Sequence, residues 1–225
     1  MELITASGDK FEFDFTNQLL QDHFDSSTSY ARLIVNQINT DKLYERFIGG
    51  KTDLNIVDVG ANIGLFTLYA STVAKQILCV EPTPDHINLL KFNTKGMSNV
   101  KIVEAAVTDV PQSLTFYLND GNSTMNSVEF KTNKSITVSG MTMEQIIEYT
   151  NHIDFIKFDI EGGEVKALTK QQIEAVYTKV DSWFVEAHET STASIQQNRL
   201  ILETRFKDVG YKSERIGVDG LYVFK

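Results

Sequence analysis

Short apolar runs rich in β-branched residues alternate with helical patterns along most of this 225-residue chain. Such near-continuous apolar runs are typical of strands that are covered on both faces of a parallel sheet. The runs lie at 54–59, 76–81, 100–104, 153–160 and 182–187. Because strands and helices follow each other in turn, the sequence predicts an open α/β sheet with right-handed crossovers.

The two ends of the chain depart from this alternation. Segments 211–216 and 221–225 flank the turn Gly217-Val218-Asp219-Gly220, which predicts an antiparallel hairpin that completes the sheet. Helical patterns at 17–24 and 30–48 predict that residues 1–50 form an N-terminal helical cap on a compact domain at 51–225. Two alternating segments, 114–117 and 135–138, enclose a polar loop at 119–127 whose length is typical of a functional or disordered segment.

The composition restricts the partners of the chain. Its 30 acidic and 21 basic residues give a formal net charge of −9, which argues against a nucleic-acid partner. The single cysteine, Cys79, permits no internal disulfide and is expected in the core. The N-terminus is not basic, and no apolar run approaches the roughly 20 residues of a membrane span. The sequence therefore predicts a soluble cytoplasmic protein without a membrane partner, and it leaves the oligomeric state open.

A strand, a glycine-bearing turn and the start of a helix follow one another at 55–66. Ligands of open α/β sheets lie beyond the carboxyl ends of the strands, so this turn is expected at a cofactor site. A nicotinamide or flavin site requires the pattern G-x-G-x-x-G, but Asn62 and Leu65 occupy the two positions that follow Gly60 in that pattern. A dinucleotide, and with it a dehydrogenase, therefore fits poorly.

The same turn reads D-x-G-x-N-x-G, which suits S-adenosylmethionine because that cofactor has no phosphate to hold. Asp58 is expected to attract its ammonium group or a bound water network beside that group, and Gly60 to let the backbone approach its methionine part. Glu81 ends the next strand, where an acid accepts hydrogen bonds from both ribose hydroxyls. Ala105 is small enough to admit the adenine. The predicted cofactor-binding residues are Asp58, Gly60, Ala61, Asn62, Gly64, Glu81, Pro82, Glu104 and Ala105.

A second group of polar residues follows two later strands. Lys157 and Asp159 lie two positions apart and therefore face the same way, and Glu186 and His188 repeat this spacing. If the two strands are neighbours, these four side chains converge beyond the sheet. With Glu161 from the following loop, they are the predicted catalytic residues.

The remaining acids and histidines receive other predictions. Glu164 is expected mainly to stabilise the first turn of a helix through the helix dipole. His23, His86 and His152 lie in polar surroundings, and they are expected to be exposed and without a role.

Together these motifs resemble the FkbM-type methyltransferases. The shared elements are D-x-G-A-N-x-G at 58–64, Glu81-Pro82, K-x-D-x-E-G-x-E at 157–164 and Glu186-Ala187-His188, within residues 50–190. The resemblance implies a Rossmann-like class I methyltransferase fold, with a seven-stranded, mostly parallel sheet that ends in an antiparallel hairpin. It also implies S-adenosylmethionine-dependent methylation, usually of a hydroxyl on a sugar, polyketide or glycan-like acceptor. Gly163 departs from the family's more frequent alanine, and Met143-Glu144 departs from Leu-Asp.

Methyl transfer to a hydroxyl needs an aligned acceptor and benefits from a base. Our hypothesis assigns the base to His188 or Asp159, with Glu161 and Glu186 orienting the acceptor or a divalent cation such as Mg²⁺. The ligand spacing identifies no metal site. The 119–127 loop and the cap are expected to form the pocket of a small-molecule or carbohydrate hydroxyl acceptor.

Two alternatives remain open. A nucleic-acid methyltransferase is opposed by the acidic charge and by Asp159-Ile160-Glu161-Gly162, which stands where amino-methylating enzymes of that kind have a proline-rich aromatic motif. A module that binds S-adenosylmethionine without catalysis is opposed by the acids and the histidine of the second group.

Overall fold

The computed structural model describes residues 2–25, 30–119, 126–129 and 131–225. Its strands are β1 (Glu2–Ile4), β2 (Lys10–Glu12), β3 (Leu54–Val59), β4 (Ala74–Val80), β5 (Val100–Val103), β6 (Ala106–Val107), β7 (Gln112–Leu118), β8 (Lys134–Met141), β9 (Ile153–Phe158), β10 (Val180–Glu186), β11 (Lys212–Ile216) and β12 (Gly220–Phe224). Its α-helices are α1 (Gln18–Asp25), α2 (Tyr30–Asn36), α3 (Glu45–Ile48), α4 (Leu65–Ala70), α5 (Pro84–Asn93), α6 (Met143–Ile147), α7 (Glu164–Ala167), α8 (Lys170–Val176) and α9 (Ile195–Val209).

A seven-stranded sheet has the order β11-β12-β10-β9-β3-β4-β5. The strands from β10 to β5 pair in parallel, whereas β12 is antiparallel to both β10 and β11. The predicted mostly parallel sheet with a terminal antiparallel hairpin is thus confirmed. The chain proceeds from β3 to β4 and β5 on one side and returns to β9 and β10 on the other. This reversal places the switch point, where ligands of open α/β sheets bind, between the carboxyl ends of β3 and β9.

Both faces of the sheet are covered by apolar side chains. On one face Phe47 stacks on Tyr222, with ring centroids 4.4 Å apart, and on Phe155 at 5.7 Å. On the other face Trp183 packs edge-on against Phe206 of α9 at 5.3 Å. Cover on both faces accounts for the unbroken apolar runs that mark these strands in the sequence.

The N-terminal segment contains more than the predicted helices. β1 and β2 form an antiparallel hairpin, which Asn39 fastens by accepting from the Ile4 amide at 2.8 Å and donating to the Glu2 carbonyl at 2.9 Å. The helix predicted at 30–48 is interrupted, because α2 continues into the π-helical turn Gln37–Asp41, and Lys42 then adopts a left-handed conformation at φ 51°. Side chains of this segment share a hydrophobic core with α4 and the sheet.

A small sheet of order β6-β8-β7 stands beside the large one. Its antiparallel pair β7 and β8 contains the alternating segments recognised in the sequence. Of the loop predicted at 119–127, residues 120–125 lie outside the described residues. Within the described ranges, none of the helices has the length and apolar character required to cross a membrane.

Candidate active site

A cavity of about 420 Å³ lies at the carboxyl ends of β3, β4, β9 and β10. Its wall contains six of the predicted cofactor-binding residues: Gly60, Ala61, Asn62, Glu81, Pro82 and Ala105. It also contains the five predicted catalytic residues: Lys157, Asp159, Glu161, Glu186 and His188. The structure therefore brings both predicted groups to one cavity, of a size typical of small-molecule sites.

The glycine turn after β3 is shaped by its neighbouring backbone. Gly60 has φ 73°, and a Cβ atom there would lie 1.7 Å from the Asp159 carbonyl oxygen. Glycine is thus required by the close approach of this turn to the end of β9, which differs from the reason expected from the sequence. Gly64 lies outside the cavity wall, and a Cβ there would meet Leu90 at 2.6 Å.

Glu81 is held by backbone donors at the end of β4. Its side chain is almost fully buried and accepts from the Asn62 amide and from the Thr83 amide, both at 2.9 Å. Burial alone raises the pKa of a carboxyl, but the bonds from His86 and Thr83 outweigh it, and the pKa of Glu81 is lowered. Glu81 therefore offers an ionised acceptor to a ligand that brings hydroxyl groups.

Asp58 occupies a different place from the one predicted. It is fully buried and outside the cavity wall, behind Lys157, because these two residues are register partners on β3 and β9. Its Oδ2 accepts from the Thr67 hydroxyl at 2.6 Å, and its Oδ1 lies 3.8 Å from the Lys157 ammonium. The cationic neighbour of Asp58 is thus a lysine of the chain itself, and contact of Asp58 with the ammonium group of a cofactor, or with a water network beside it, stays a prediction.

Lys157 lies between two acids, Asp58 and Asp159. Its Nζ lies 3.0 Å from Asp159 Oδ2 and donates to the Gly60 carbonyl at 3.4 Å. Burial alone would lower the pKa of this ammonium group, but Asp159 and Asp58 outweigh it, and the pKa is raised. Lys157 thus stays charged. It positions Asp159 and does not act as a base.

His188 lies at the centre of a ring of carboxylates. Its Nδ1 pairs with Glu164 at 2.9 Å, and its Nε2 lies 3.6 Å from Glu161, 3.7 Å from Asp159 and 3.8 Å from Glu186. Glu164 also accepts from the backbone amides of residues 160 and 162. Glu164 therefore fixes the imidazole, a role beyond the helix-end role expected for it.

The carboxylates of this cluster differ in protonation. Repulsion from Asp159, together with burial, raises the pKa of Glu186 to about 8, and burial with Asp159 raises that of Glu161 to about 7. Burial opposes ionisation of Asp159 as well, but Lys157 and His188 lower its pKa. The pKa of His188 is raised to about 10, because the bond to Glu164 and the nearby acids outweigh burial. At neutral pH Asp159 is therefore the ionised acceptor, which favours it over His188 as a base.

Two further predictions need correction. His86 was expected to be exposed, but it is 2% exposed, lines the cavity and lies 3.4 Å from Glu81, because α5 turns this position inward with Ile87. Glu104 lies outside the cavity wall, and its exposed side chain pairs with Lys91 at 2.6 Å. Ala105, which follows it, does line the cavity.

Sequence reasoning missed residues that other segments contribute to the cavity. The cap supplies Leu33, Ile34, Gln37 and Tyr44, the small sheet and its loop supply Phe116, Asn126 and Val128, and the terminal hairpin supplies Asp219. For the residues of the cap and the loop, the only signal was the prediction that these two segments form the acceptor pocket. No motif marks the individual positions.

Comparisons with known proteins identify the family of this chain. The family model of the methyltransferase FkbM domain matches residues 58–213. "Methyltransferase 1" of Beauveria bassiana (strain ARSEF 2860) is 31% identical over 167 residues, which are 61% of this chain and 66% of that protein. The crystal structure of methyltransferase FkbM from Methylobacillus flagellatus KT superposes with a TM-score of 0.51 at 17% identity, over 77% of this chain and 44% of that one.

The family match spans well over half of the chain and contains both the predicted cofactor-binding residues and the predicted catalytic residues. The sheet order and the terminal antiparallel hairpin are those implied by the class I methyltransferase fold. The chain belongs to the FkbM methyltransferase family.

Proposed function

We propose that this chain transfers the methyl group of S-adenosylmethionine to a hydroxyl group of a small-molecule or carbohydrate acceptor. The observation that carries the proposal is that one cavity contains two groups of residues with different chemistry. Glu81 and the glycine turn form one wall, and the ionised Asp159 lies on the other. Family membership supports S-adenosylmethionine as the methyl donor.

The first wall fits the nucleoside of this cofactor. Glu81 directs an ionised carboxylate into the cavity, which suits the two hydroxyls of a ribose. Ala105 and Ala106 leave room for a flat ring beside it. When bound, S-adenosylmethionine supplies an electrophilic methyl group on a sulfonium centre.

The second wall fits removal of the hydroxyl proton. Lys157 holds Asp159 Oδ2, so that Oδ1 remains as the acceptor. Alignment of acceptor and methyl group accounts for about 7–11 kcal/mol of the barrier in well-oriented reactions. A positioned base adds a factor of roughly 10²–10⁴. The proposal therefore attributes most of the rate to positioning and a smaller part to Asp159.

The proposal includes a divalent cation at the carboxylate cluster. Asp159, Glu161 and His188 each offer one ligand atom, and these atoms lie within 4.8 Å of one another. A cation there lowers the pKa of a hydroxyl group that binds to it. Magnesium is the ion suggested by oxygen ligands alone.

The acceptor side of the cavity combines apolar and acidic walls. Leu33, Ile34 and Tyr44 of the cap line the same cavity as the carboxylates. Such a surface suits a hydroxylated molecule with an apolar part, and its acidic groups repel phosphates. We therefore infer an acceptor other than a nucleic acid.

Replacing Asp159 by asparagine tests the proposal. Turnover on a panel of sugar and small-molecule hydroxyl acceptors should fall by roughly 10²–10⁴, whereas the affinity for S-adenosylhomocysteine, measured by calorimetry, should change less than threefold. Asp181→Asn is the matched control, because Asp181 is exposed near the start of β10 and should leave turnover unchanged. Wild-type turnover in Asp159→Asn would contradict the role of this residue. Binding of S-adenosylhomocysteine by a wild-type protein that methylates no acceptor would favour a binding module.

A further inference from the structure

The ring of carboxylates around His188 has an unusual spacing. Its Nε2 lies 3.6–3.8 Å from one oxygen each of Glu161, Asp159 and Glu186. A hydrogen bond between an imidazole nitrogen and a carboxylate is about 2.7–3.2 Å long, so Nε2 makes none of these bonds. Three oxygens thus surround the nitrogen without any of them binding it.

The same spacing is that of ligands to one metal ion. Two ligand atoms that are each about 2.1 Å from an ion lie about 3.0–4.2 Å apart, as their angle widens from a right angle to a straight line. The three distances from Nε2 fall inside this interval. The distances from Nε2 therefore leave room for an ion between the imidazole and these oxygens.

A second observation concerns Asp159. Its Oδ2 pairs with Lys157, but its Oδ1 is buried and has no hydrogen-bond partner in the described part of the chain. A buried carboxylate oxygen without a partner is costly. Oδ1 is directed at His188 Nε2, so an ion between these two atoms would satisfy it.

The other ring nitrogen of His188, Nδ1, has the kind of partner that metal-ligating histidines have. Metal-ligating histidines almost always donate their other ring N–H to a carboxylate or carbonyl, which fixes the tautomer and the ring orientation. Here Nδ1 pairs with Glu164, which is itself held by the backbone amides of residues 160 and 162. Nε2 is thereby left for an ion.

We propose that His188 Nε2, Asp159 and Glu161 bind a divalent transition-metal ion of the manganese or iron type, with Glu186 beside it and Glu164 orienting the imidazole. This inference rests on the cation of the proposed function and specifies its identity. An imidazole ligand favours transition metals, whereas magnesium prefers oxygen ligands and retains much of its water. With such an ion bound, Asp159 Oδ1 would be one of its ligands, and the ion would lower the pKa of an acceptor hydroxyl that binds to it.

The experiment is a titration of the full chain, freed of metal with a chelator, with Mn²⁺ and with Mg²⁺. Calorimetry and the loss of the free Mn²⁺ electron paramagnetic resonance signal report binding without any methyl transfer. We expect one Mn²⁺ per chain, bound at least tenfold more tightly than Mg²⁺. Glu164→Gln should weaken Mn²⁺ binding about 10- to 100-fold, and His188→Ala should weaken it at least as much.

The matched control is His152→Ala. His152 lies near Asp154 and Asp181 in a second group of possible ligands, at the surface, and its loss should leave Mn²⁺ affinity unchanged. If His188→Ala does not fold, as judged by circular dichroism, His188→Gln takes its place, because Gln keeps more of the side-chain volume.

Absence of Mn²⁺ binding, or equal affinity in wild type and the His188 variant, overturns the inference. If Mg²⁺ binds more tightly than Mn²⁺ and the His188 variant keeps its affinity for Mg²⁺, the inference is overturned. The divalent cation of the proposed function is not affected by that result. Loss of Mn²⁺ binding in His152→Ala also overturns it. Calorimetry with S-adenosylhomocysteine on the same samples separates these outcomes from failure of the proposed methyl transfer, because that failure appears as lost cofactor binding or lost turnover.

Discussion

The strands β9 and β10 carry a histidine and several carboxylates at each end, and the two groups behave differently. At the amino ends, His152 Nε2 lies 3.1 Å from Asp181, and Lys225 lies 3.3 Å from the same carboxylate. At the carboxyl ends, the nearest carboxylate to His188 Nε2 among the described residues lies 3.6 Å away. The first group is exposed and directly paired, whereas the second forms part of a cavity wall.

This comparison shows that residue type alone does not define a site. At the amino ends water and direct ion pairs satisfy each charge, so the group needs no ligand. At the carboxyl ends the side chains are fixed by Glu164 and Lys157, and their remaining oxygens face one another. Preorganised charges that lack direct partners are expected where a ligand binds.

The largest expected effect comes from replacing a lysine side chain at the carboxyl ends of the strands and comparing it with a lysine at their amino ends. Lys157→Met leaves Asp58 and Asp159 without their buried partner and should lower the free energy of unfolding by about 3–5 kcal/mol. Lys225→Met removes an exposed pair and should cost less than about 1 kcal/mol. Urea denaturation of both variants measures the difference.

A double variant guards this prediction against simple loss of packing. Adding Asp58→Asn to Lys157→Met removes one of the two uncompensated charges, so it should restore part of the stability. If the two lysine variants lose the same free energy of unfolding, or if the double variant recovers none of it, the two ends of the strands do not differ as described.

The residues at the carboxyl ends illustrate how much the sequence predicts. The spacing of Lys157 with Asp159 and of Glu186 with His188 requires only that β9 and β10 be neighbours, and they pair in parallel. Their convergence could therefore be predicted from the two-residue period of a strand. The seven-stranded sheet followed in the same way from the apolar runs and the family resemblance.

Other positions depend on tertiary structure that local patterns do not encode. Asp58 is hidden because its register partner across β3 and β9 is Lys157. His86 is buried because of the rotation of α5 about its axis, and Tyr44, which lines the cavity, follows a π-helical turn that the sequence pattern does not show. Strand register, helix rotation and packing of the cap are set by the whole core, and a single sequence window contains none of them.

Glu81 is a carboxylate of a third kind, because backbone amides donate hydrogen bonds to both of its oxygens. In Glu81→Gln one of the amides of Asn62 and Thr83 faces an NH₂ group, so the free energy of unfolding at pH 7 should fall by about 2 kcal/mol. The pKa of Glu81 is lowered from its ordinary 4.5, so its contribution is present above pH 4.5 and is lost as the pH falls through the folded-state value. The difference between wild type and variant should be constant from about pH 8 to 5 and shrink below it. Urea titrations across this range test the sign, and a difference that grows on acidification would contradict it.

The smallest expected effect belongs to the exposed ends of the strands. Asp181→Asn removes the partner of both His152 and Lys225, yet all three side chains are at least one-third exposed, so the charges are screened. The free energy of unfolding should fall by about 0.5 kcal/mol or less at low salt, and by less again in about 1 M NaCl, where the screening length is only about 3 Å. Thermal denaturation at the two salt concentrations measures this change. A loss above about 2 kcal/mol that persists in high salt would mean that the amino-end group is built as rigidly as the one around His188, and the contrast between an ordinary ion pair and a preorganised site would then fail.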